Sequence, residues 1–317
     1  MSFRLKRLMT REQLLEQLRR EAREGLTTSP KRLRSRWVWD GRGSDLYGRI
    51  MELPQYYLPQ AEREILTARA PEIEALVHPR TVVELGPGSS VKTPLLLDAL
   101  TGLDRYVAVD VSGEALEAAG GHLAARYPEL EIVGVVGDFE TGLPEPYERT
   151  LVVSLGSTIG GLDPEDRATL LSAVAPMLGE GGALLLGLDL MKDTARIIAA
   201  YNDEQGLSAA LIGNLLPVLN RELGADFDPE RFHGEAVWSE ERRRMEMFVR
   251  SLEPQTVTLR EIELTVAFAK DETLRTEIST KFTRKGVAAE LAAARMEIRS
   301  WWTDEAGDFA LCLAQKA

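Results

Sequence analysis

The chain has 317 residues, of which 44% are hydrophobic and 28% charged, enough for one large domain or a core with a smaller partner. Its formal net charge of −12 argues against a grip on nucleic acid or an anionic membrane. A single cysteine, Cys312, excludes an intrachain disulfide, and no apolar run approaches the roughly 20 residues of a membrane helix.

The N-terminal stretch MSFRLKRLMTREQLLEQLRR has no uninterrupted apolar core, so it does not read as a secretory signal, and the expected compartment is the cytoplasm. Residues 10–24 carry Leu14, Leu15 and Leu18 at helical spacing until Thr28-Ser29-Pro30 breaks the pattern. The basic stretch 31–36 reads as a solvated surface. Residues 41–53 and 61–75 read as two further helices. After Pro79 the pattern changes. Strands are expected at 81–85, 106–109, 130–136, 150–155 and 183–188, with helices at 93–100, 113–127 and 164–177 between them. Such alternation indicates βαβ units and a parallel sheet. Residues 191–222 read as helical. Residues 256–268 and 275–282 alternate with period two, as half-buried strands do. The end returns to helix (286–294) and two strands (297–302 and 309–314), which are expected to extend the main sheet. His78, His122 and His233 are scattered and lack metal-site spacing, so no metal is expected.

The most informative segment is VVELGPGSSVKT at 82–93. Glu84-Leu85-Gly86-Pro87-Gly88 falls where the first strand ends, and glycine there lets backbone approach a ligand. Position 91 is Val, so this is not a dinucleotide GxGxxG, and no GK[ST] follows, so it is not a P-loop. A short ExGxG without a pyrophosphate cradle suits a cofactor without phosphates, such as S-adenosyl-L-methionine (SAM). Asp110 ends the second strand, where a carboxylate can hold ribose hydroxyls. Asp138-Phe139 ends the third, where a polar group and a ring can meet adenine. Alone, ExGxG is an ordinary strand–helix turn and Asp110 an ordinary cap; the three strand ends together point to a nucleoside site.

Over nearly its whole length the chain resembles the histidine-specific Nα-methyltransferases of ergothioneine biosynthesis. The resemblance rests on GLTTSPK at 25–31, GSDL at 43–46, LPQYY at 53–57, the loop at 83–93, GDF at 137–139, LGSTIG at 155–160, DLMKDT at 189–194, NREL at 220–223, TEISTKF at 276–282 and WWTD at 301–304. It implies a Rossmann-like SAM-dependent methyltransferase core, 59–191 plus 281–317, and a second discontinuous α+β substrate-binding lobe, 1–58 plus 192–280. It implies three successive methylations of the histidine α-amino group. The implied cofactor residues are Gly86, Gly88, Lys92, Asp110, Asp138 and Phe139. The implied acceptor residues are Tyr56, Gly156, Tyr201, Met247, Glu277 and Ser279, with Tyr56 and the Glu277/Ser279 pair at the imidazole and Tyr201 at the carboxylate end. Two positions depart from the family pattern: Gly161 stands where the family has Asn, and Trp39 where it has Tyr, both toward the amino-acid end.

Glu277 and Ser279 are two apart on an expected strand and so share a face. Together they can accept from and donate to a ring with one N–H and one bare nitrogen. The competing local reading is an exposed polar stripe, with Ile278, Thr280 and Phe282 inward. Glu277 and Tyr56 are the expected catalytic groups, since a carboxylate at a ring N–H can also withdraw its proton. Ring or amine methylation of an aromatic amino-acid derivative is therefore the alternative, and a non-catalytic SAM-binding module the third reading. Of Tyr56 and Tyr57, one is expected to serve packing, and Trp301-Trp302 is expected to pack on the sheet rather than cage a cation. The partner is expected to be a small molecule, with no nucleic acid or membrane, and the chain a monomer.

Overall fold

The computed structural model describes residues 3–88, 90–139, 142–144 and 147–317; Ser89 of the glycine loop lies outside them. The chain begins with strand β1 (Arg4–Arg7), helix α1 (Arg11–Thr27), the short strand β2 (Lys31–Arg32), and helices α2 (Gly41–Ile50) and α3 (Leu58–Val77). Strands and helices then alternate: β3 (Thr81–Leu85), α4 (Thr93–Leu97), β4 (Arg105–Asp110), α5 (Gly113–Arg126), β5 (Glu131–Val136), β6 (Thr150–Ser154), α6 (Pro164–Met177) and β7 (Ala183–Asp189). Helices α7 (Thr194–Tyr201), α8 (Leu207–Gly213) and α9 (Leu215–Leu223) lead into β8 (Phe232–Ser239), β9 (Arg244–Ser251), β10 (Gln255–Leu259), β11 (Leu264–Phe268) and β12 (Thr273–Thr280). The last elements are α10 (Arg284–Ala293), β13 (Met296–Thr303) and β14 (Phe309–Lys316).

One compact unit comprises Met1–Met9, Leu58–Met191 and Thr280–Ala317. Its eight-stranded sheet runs β1-β5-β4-β3-β6-β7-β14-β13. The strands from β1 to β7 in that order are mutually parallel, and β14 and β13 close the far side antiparallel. β3, β6 and β7 are buried along their whole length, as expected of parallel strands covered by helices on both faces. Their side chains form one core with Leu170, Leu171 and Val174 of α6 and Val287 and Leu291 of α10. Strand order reverses between β3 and β6, which places a ligand crevice at the carboxyl ends of those strands. The chain leaves this unit after β7 and re-enters before α10. There Met191 N–H donates to Phe282 C=O at 2.9 Å and Phe282 N–H to Asp189 C=O at 2.8 Å. The fully buried Lys281 and Asp189 pair beside them at 2.7 Å.

The second unit comprises Thr10–Tyr57 and Lys192–Ser279. It holds a four-stranded sheet, β2-β12-β9-β8, and the hairpin β10–β11. Leu18, Ala22 and Leu26 of α1, Leu215, Leu216 and Leu219 of α9, and Met245, Met247 and Val249 of β9 share its core. α1 starts with a reciprocal cap: Gln13 N–H donates to Thr10 Oγ1 and Thr10 N–H to Gln13 Oε1, worth about 1 kcal/mol.

Several expectations are corrected. Residues up to Met9, expected in the lobe, belong with the core. β1 pairs with β5 from Arg4 opposite Val133 to Arg7 opposite Val136, and Phe3 fills the space over Gly120 and Gly134. Residues 256–268 are two strands. The buried positions shift from odd (Val257, Leu259) to even (Val266, Phe268) across the turn at Arg260–Glu263. β12 starts and ends two residues earlier than expected, burying Leu274, Thr276 and Ile278, while Phe282 bridges to Leu190 outside the strand. The basic stretch 31–36 is not simply solvated: Lys31 pairs with Glu272, and the buried Arg36 lies 3.8 Å from Glu21. The hairpin β8–β9 has no counterpart in the sequence reading.

Candidate active site

In the first unit, the ends of β3, β4, β5 and β6 bring the expected cofactor residues together. Gly86 and Gly88 both have positive φ (+65° and +54°), which glycine adopts without steric cost. A Cβ at Gly86 would lie 3.4 Å from Thr158 Cγ2 and 3.5 Å from Phe139 Cε1. The turn after β3 is therefore lined by the loops after β6 and after β5. Asp110 closes β4 and accepts from Ser112 N–H at 2.9 Å through Oδ1. Burial raises its carboxyl above the ordinary range, against backbone donors at Ser112, Gly88 and Val111. Asp138, two residues beyond β5, is buried.

Glu84, part of the ExGxG pattern, faces inward. Its Oε2 accepts from Thr93 at 2.8 Å and from Tyr106 at 2.7 Å. Burial pushes its carboxyl up. Its role is to tie β3 to β4 and α4. Lys92, at the N-terminus of α4, forms an ion pair with Glu62 of α3, a residue that sequence reasoning missed. These groups fit SAM. The turn offers glycine backbone without a phosphate cradle, Asp110 has acceptor capacity for ribose hydroxyls, and Phe139 supplies an aromatic face.

The residues expected at the acceptor divide between the units. Gly156 (φ +69°) opens the loop after β6, and Gly161 ends the short 3-10 turn Thr158–Gly161; both are in the first unit. The rest lie in the second unit, where Trp39, Tyr47, Tyr56 and Tyr201 form a chain of edge-to-face rings. Centroids are 5.2 Å apart for Trp39–Tyr47, 6.0 Å for Tyr47–Tyr56 and 6.0 Å for Tyr56–Tyr201. Tyr47, the link in this chain, is the second residue missed; an aromatic directly after GSDL was its only signal. Tyr201 Oη and Ser279 Oγ share a hydrogen bond of 2.8 Å. The Tyr56 phenol is held well above its usual range, first by burial and then by Tyr47, Tyr201 and the Glu277 charge. Glu277 and Ser279 occupy half-buried positions of β12 that alternate with the buried ones. Met247 is buried in the core of the unit, where its neighbours are Met245 and Val249. Tyr57 packs under Lys192, whose ammonium is 3.9 Å from the ring centre and donates to its hydroxyl at 2.6 Å. Trp302 donates to Glu72 at 3.1 Å, and Trp301 packs against the core of the first unit with the Arg284 guanidinium 6.0 Å from its ring centre. Among the described residues no group of three His, Cys, Asp or Glu could hold a metal, and no helix is long and apolar enough to cross a membrane.

Comparison with known proteins shows the family. The model of the family described as "Histidine-specific methyltransferase, SAM-dependent" matches residues 18–316. The histidine N-alpha-methyltransferase of Mycolicibacterium smegmatis is 46% identical over 99% of this chain and 99% of its own length. That of Mycobacterium tuberculosis is 46% identical over 94% of this chain and 95% of its own. Ergothioneine biosynthesis protein 1 of Neurospora crassa is 30% identical over 86% of this chain and 32% of its own length. The chain belongs to the histidine-specific, SAM-dependent methyltransferase family.

Proposed function

We infer that this enzyme methylates the α-amino nitrogen of histidine. The observation that carries the reading is the Tyr201–Ser279 hydrogen bond, with Glu277 on the same alternating positions of β12 and Tyr56 against Tyr201. A carboxylate and a hydroxyl two residues apart complement imidazole, which has one donor and one acceptor nitrogen. The rings of Tyr47 and Tyr56 give that site apolar walls with polar tips, and Tyr201, expected at the carboxylate end, stands beside it through its hydrogen bond to Ser279.

SAM supplies an electrophilic methyl on a sulfonium. The protein's work is to present a neutral amine in line with it. Glu277 anchors the ring, so that the α-amine is directed away from it. Tyr56, whose phenol stays protonated, serves as a wall and hydrogen-bonding group rather than as a base. Asp110 and Asp138 hold the nucleoside, while Lys92 and Phe139 flank it. Gly161 and Trp39 stand where the family resemblance implies Asn and Tyr, so the amino-acid end of the acceptor is held by a different set of contacts. The enzyme acts as a cytoplasmic monomer on a small molecule, with no nucleic-acid partner.

The test is a calorimetric screen of histidine, hercynine, tryptophan and tryptamine with S-adenosylhomocysteine present, followed by mass spectrometry of the methylated product. Binding and Nα-methylation of histidine are expected. Methyl transfer to a ring nitrogen, or turnover of tryptophan but not histidine, would refute the reading.

A further inference from the structure

Glu62 of α3 has none of its surface exposed. A buried carboxylate is unfavourable unless charged and hydrogen-bonding partners meet it. Two do here. Gly156 N–H donates to Oε1 at 2.7 Å, and the Lys92 ammonium pairs with Oε2. The partners come from different loops. Lys92 ends the loop after β3, and Gly156 opens the loop after β6. β3 and β6 are neighbours where strand order reverses. Glu62 thus ties together two walls of the crevice in which open α/β sheets bind ligands.

Two glycines bear the mark of this tie. Gly187 sits inside β7, where glycine weakens a strand; a Cβ there would run into Glu62 Oε1. A Cβ at Gly156 would lie 3.2 Å from Lys92 Nζ, at a backbone angle that side chains rarely adopt. Both positions are kept clear for the carboxylate and its ammonium partner. Glu84 is a second carboxylate whose charge is felt with those of Lys92 and Glu62, but it is occupied by Thr93 and Tyr106.

We propose that Glu62 is a positioning residue for SAM: it fixes the Lys92 ammonium and the Gly156 turn, so that the loops after β3 and β6 hold one arrangement around the cofactor. This role rests on the reading that SAM lies at these strand ends.

The experiment is calorimetric binding of S-adenosylhomocysteine to the full chain and to Glu62→Gln, Lys92→Met, Lys92→Arg and the Glu62→Gln/Lys92→Met double variant, with a melting curve for each. Glu62→Gln keeps an acceptor for Gly156 N–H and removes only the charge. It and Lys92→Met are each expected to weaken binding about tenfold or more, the scale of a lost charge-assisted hydrogen bond. The double variant should fall within about twofold of the weaker single one, because coupled residues act as a unit. Lys92→Arg, which keeps the charge, should stay within about threefold of the unaltered chain. Unchanged binding by Glu62→Gln, or losses that multiply in the double variant, would overturn the proposal while leaving the cofactor site standing. If Glu62→Gln does not fold, equal losses in Lys92→Arg and Lys92→Met overturn it. Failure of the unaltered chain to bind S-adenosylhomocysteine would remove the cofactor reading itself.

Discussion

The two units supply the residues of the proposed chemistry by different means. In the first, the proposed cofactor groups are backbone turns and carboxylates set at the ends of adjacent strands, and the sheet register brings Gly86, Asp110 and Asp138 together. In the second, the proposed acceptor groups are side chains from four separated stretches: Trp39 with Tyr47, Tyr56, Tyr201, and Glu277 with Ser279. A site made from strand ends tolerates change in its side chains as long as the register holds. A site made from aromatic edges depends on each ring, so specificity can drift there while cofactor binding stays intact.

Mutations that separate the two halves test this contrast. The largest effect is expected at Asp110→Ala. Loss of hydrogen bonds to a charged acceptor, each about 1.5–3 kcal/mol, should weaken S-adenosylhomocysteine about a hundredfold, read by calorimetry, with histidine affinity little changed. The pH profile sharpens it. Burial raises the Asp110 carboxyl above the ordinary aspartate range, and binding needs the carboxylate. Affinity should therefore fall as pH drops, beginning above the pH at which an ordinary aspartate protonates, and Asp110→Asn should lack that limb.

Glu277→Gln should raise the KM for histidine about thirtyfold, the loss of one charged hydrogen bond, while S-adenosylhomocysteine binding stays within about twofold. Equal losses of both ligands would break the proposed separation of cofactor and acceptor residues. Smaller effects are expected from Tyr201→Phe and Ser279→Ala, about fivefold each in histidine KM, as for neutral hydrogen bonds. Because the two hydroxyls bond each other at 2.8 Å, the double variant should lose less than the product of the two.

The smallest effect concerns Cys312, buried within β14 with its thiol pushed up to about 12. Only a thiolate alkylates readily. Iodoacetamide at pH 8 should leave activity and mass unchanged until denaturant is added. Rapid labelling of the native enzyme would show that this sheet opens.

The same contrast explains what could be read from the sequence. The βαβ block was legible because each strand is a short apolar run that ends in glycine or aspartate, as at Leu85-Gly86 and Val109-Asp110. Position in sequence there maps directly onto position at the crevice. Glu62 was invisible because its partners are 30 residues away at Lys92 and 94 away at Gly156, and nothing local distinguishes it from other glutamates of α3. β8–β9 was missed because the apolar Val237 and Phe248 stand at outward positions and Gly234 at an inward one, which blurs the alternation; Glu235, Glu246 and Arg250 fall at outward positions, and Arg250 pairs with Glu235 across the hairpin. The phase change between Leu259 and Leu264 was in the sequence, but alternation on both sides of it hides a shift of one residue. Tyr47 gained meaning only once Trp39 and Tyr56 were found on either side of it.

The N-terminal strand also bears on handling. β5, with the sequence EIVGVV, is buried along all but its first residue. Without β1 it would present an uncovered apolar edge, a template for strand-to-strand aggregation. β1 covers that edge and turns Arg4, Lys6 and Arg7 outward, charges of the kind that discourage further pairing. Trimming the chain to Thr10 would thus leave every residue of the proposed chemistry in place and still be expected to give insoluble material.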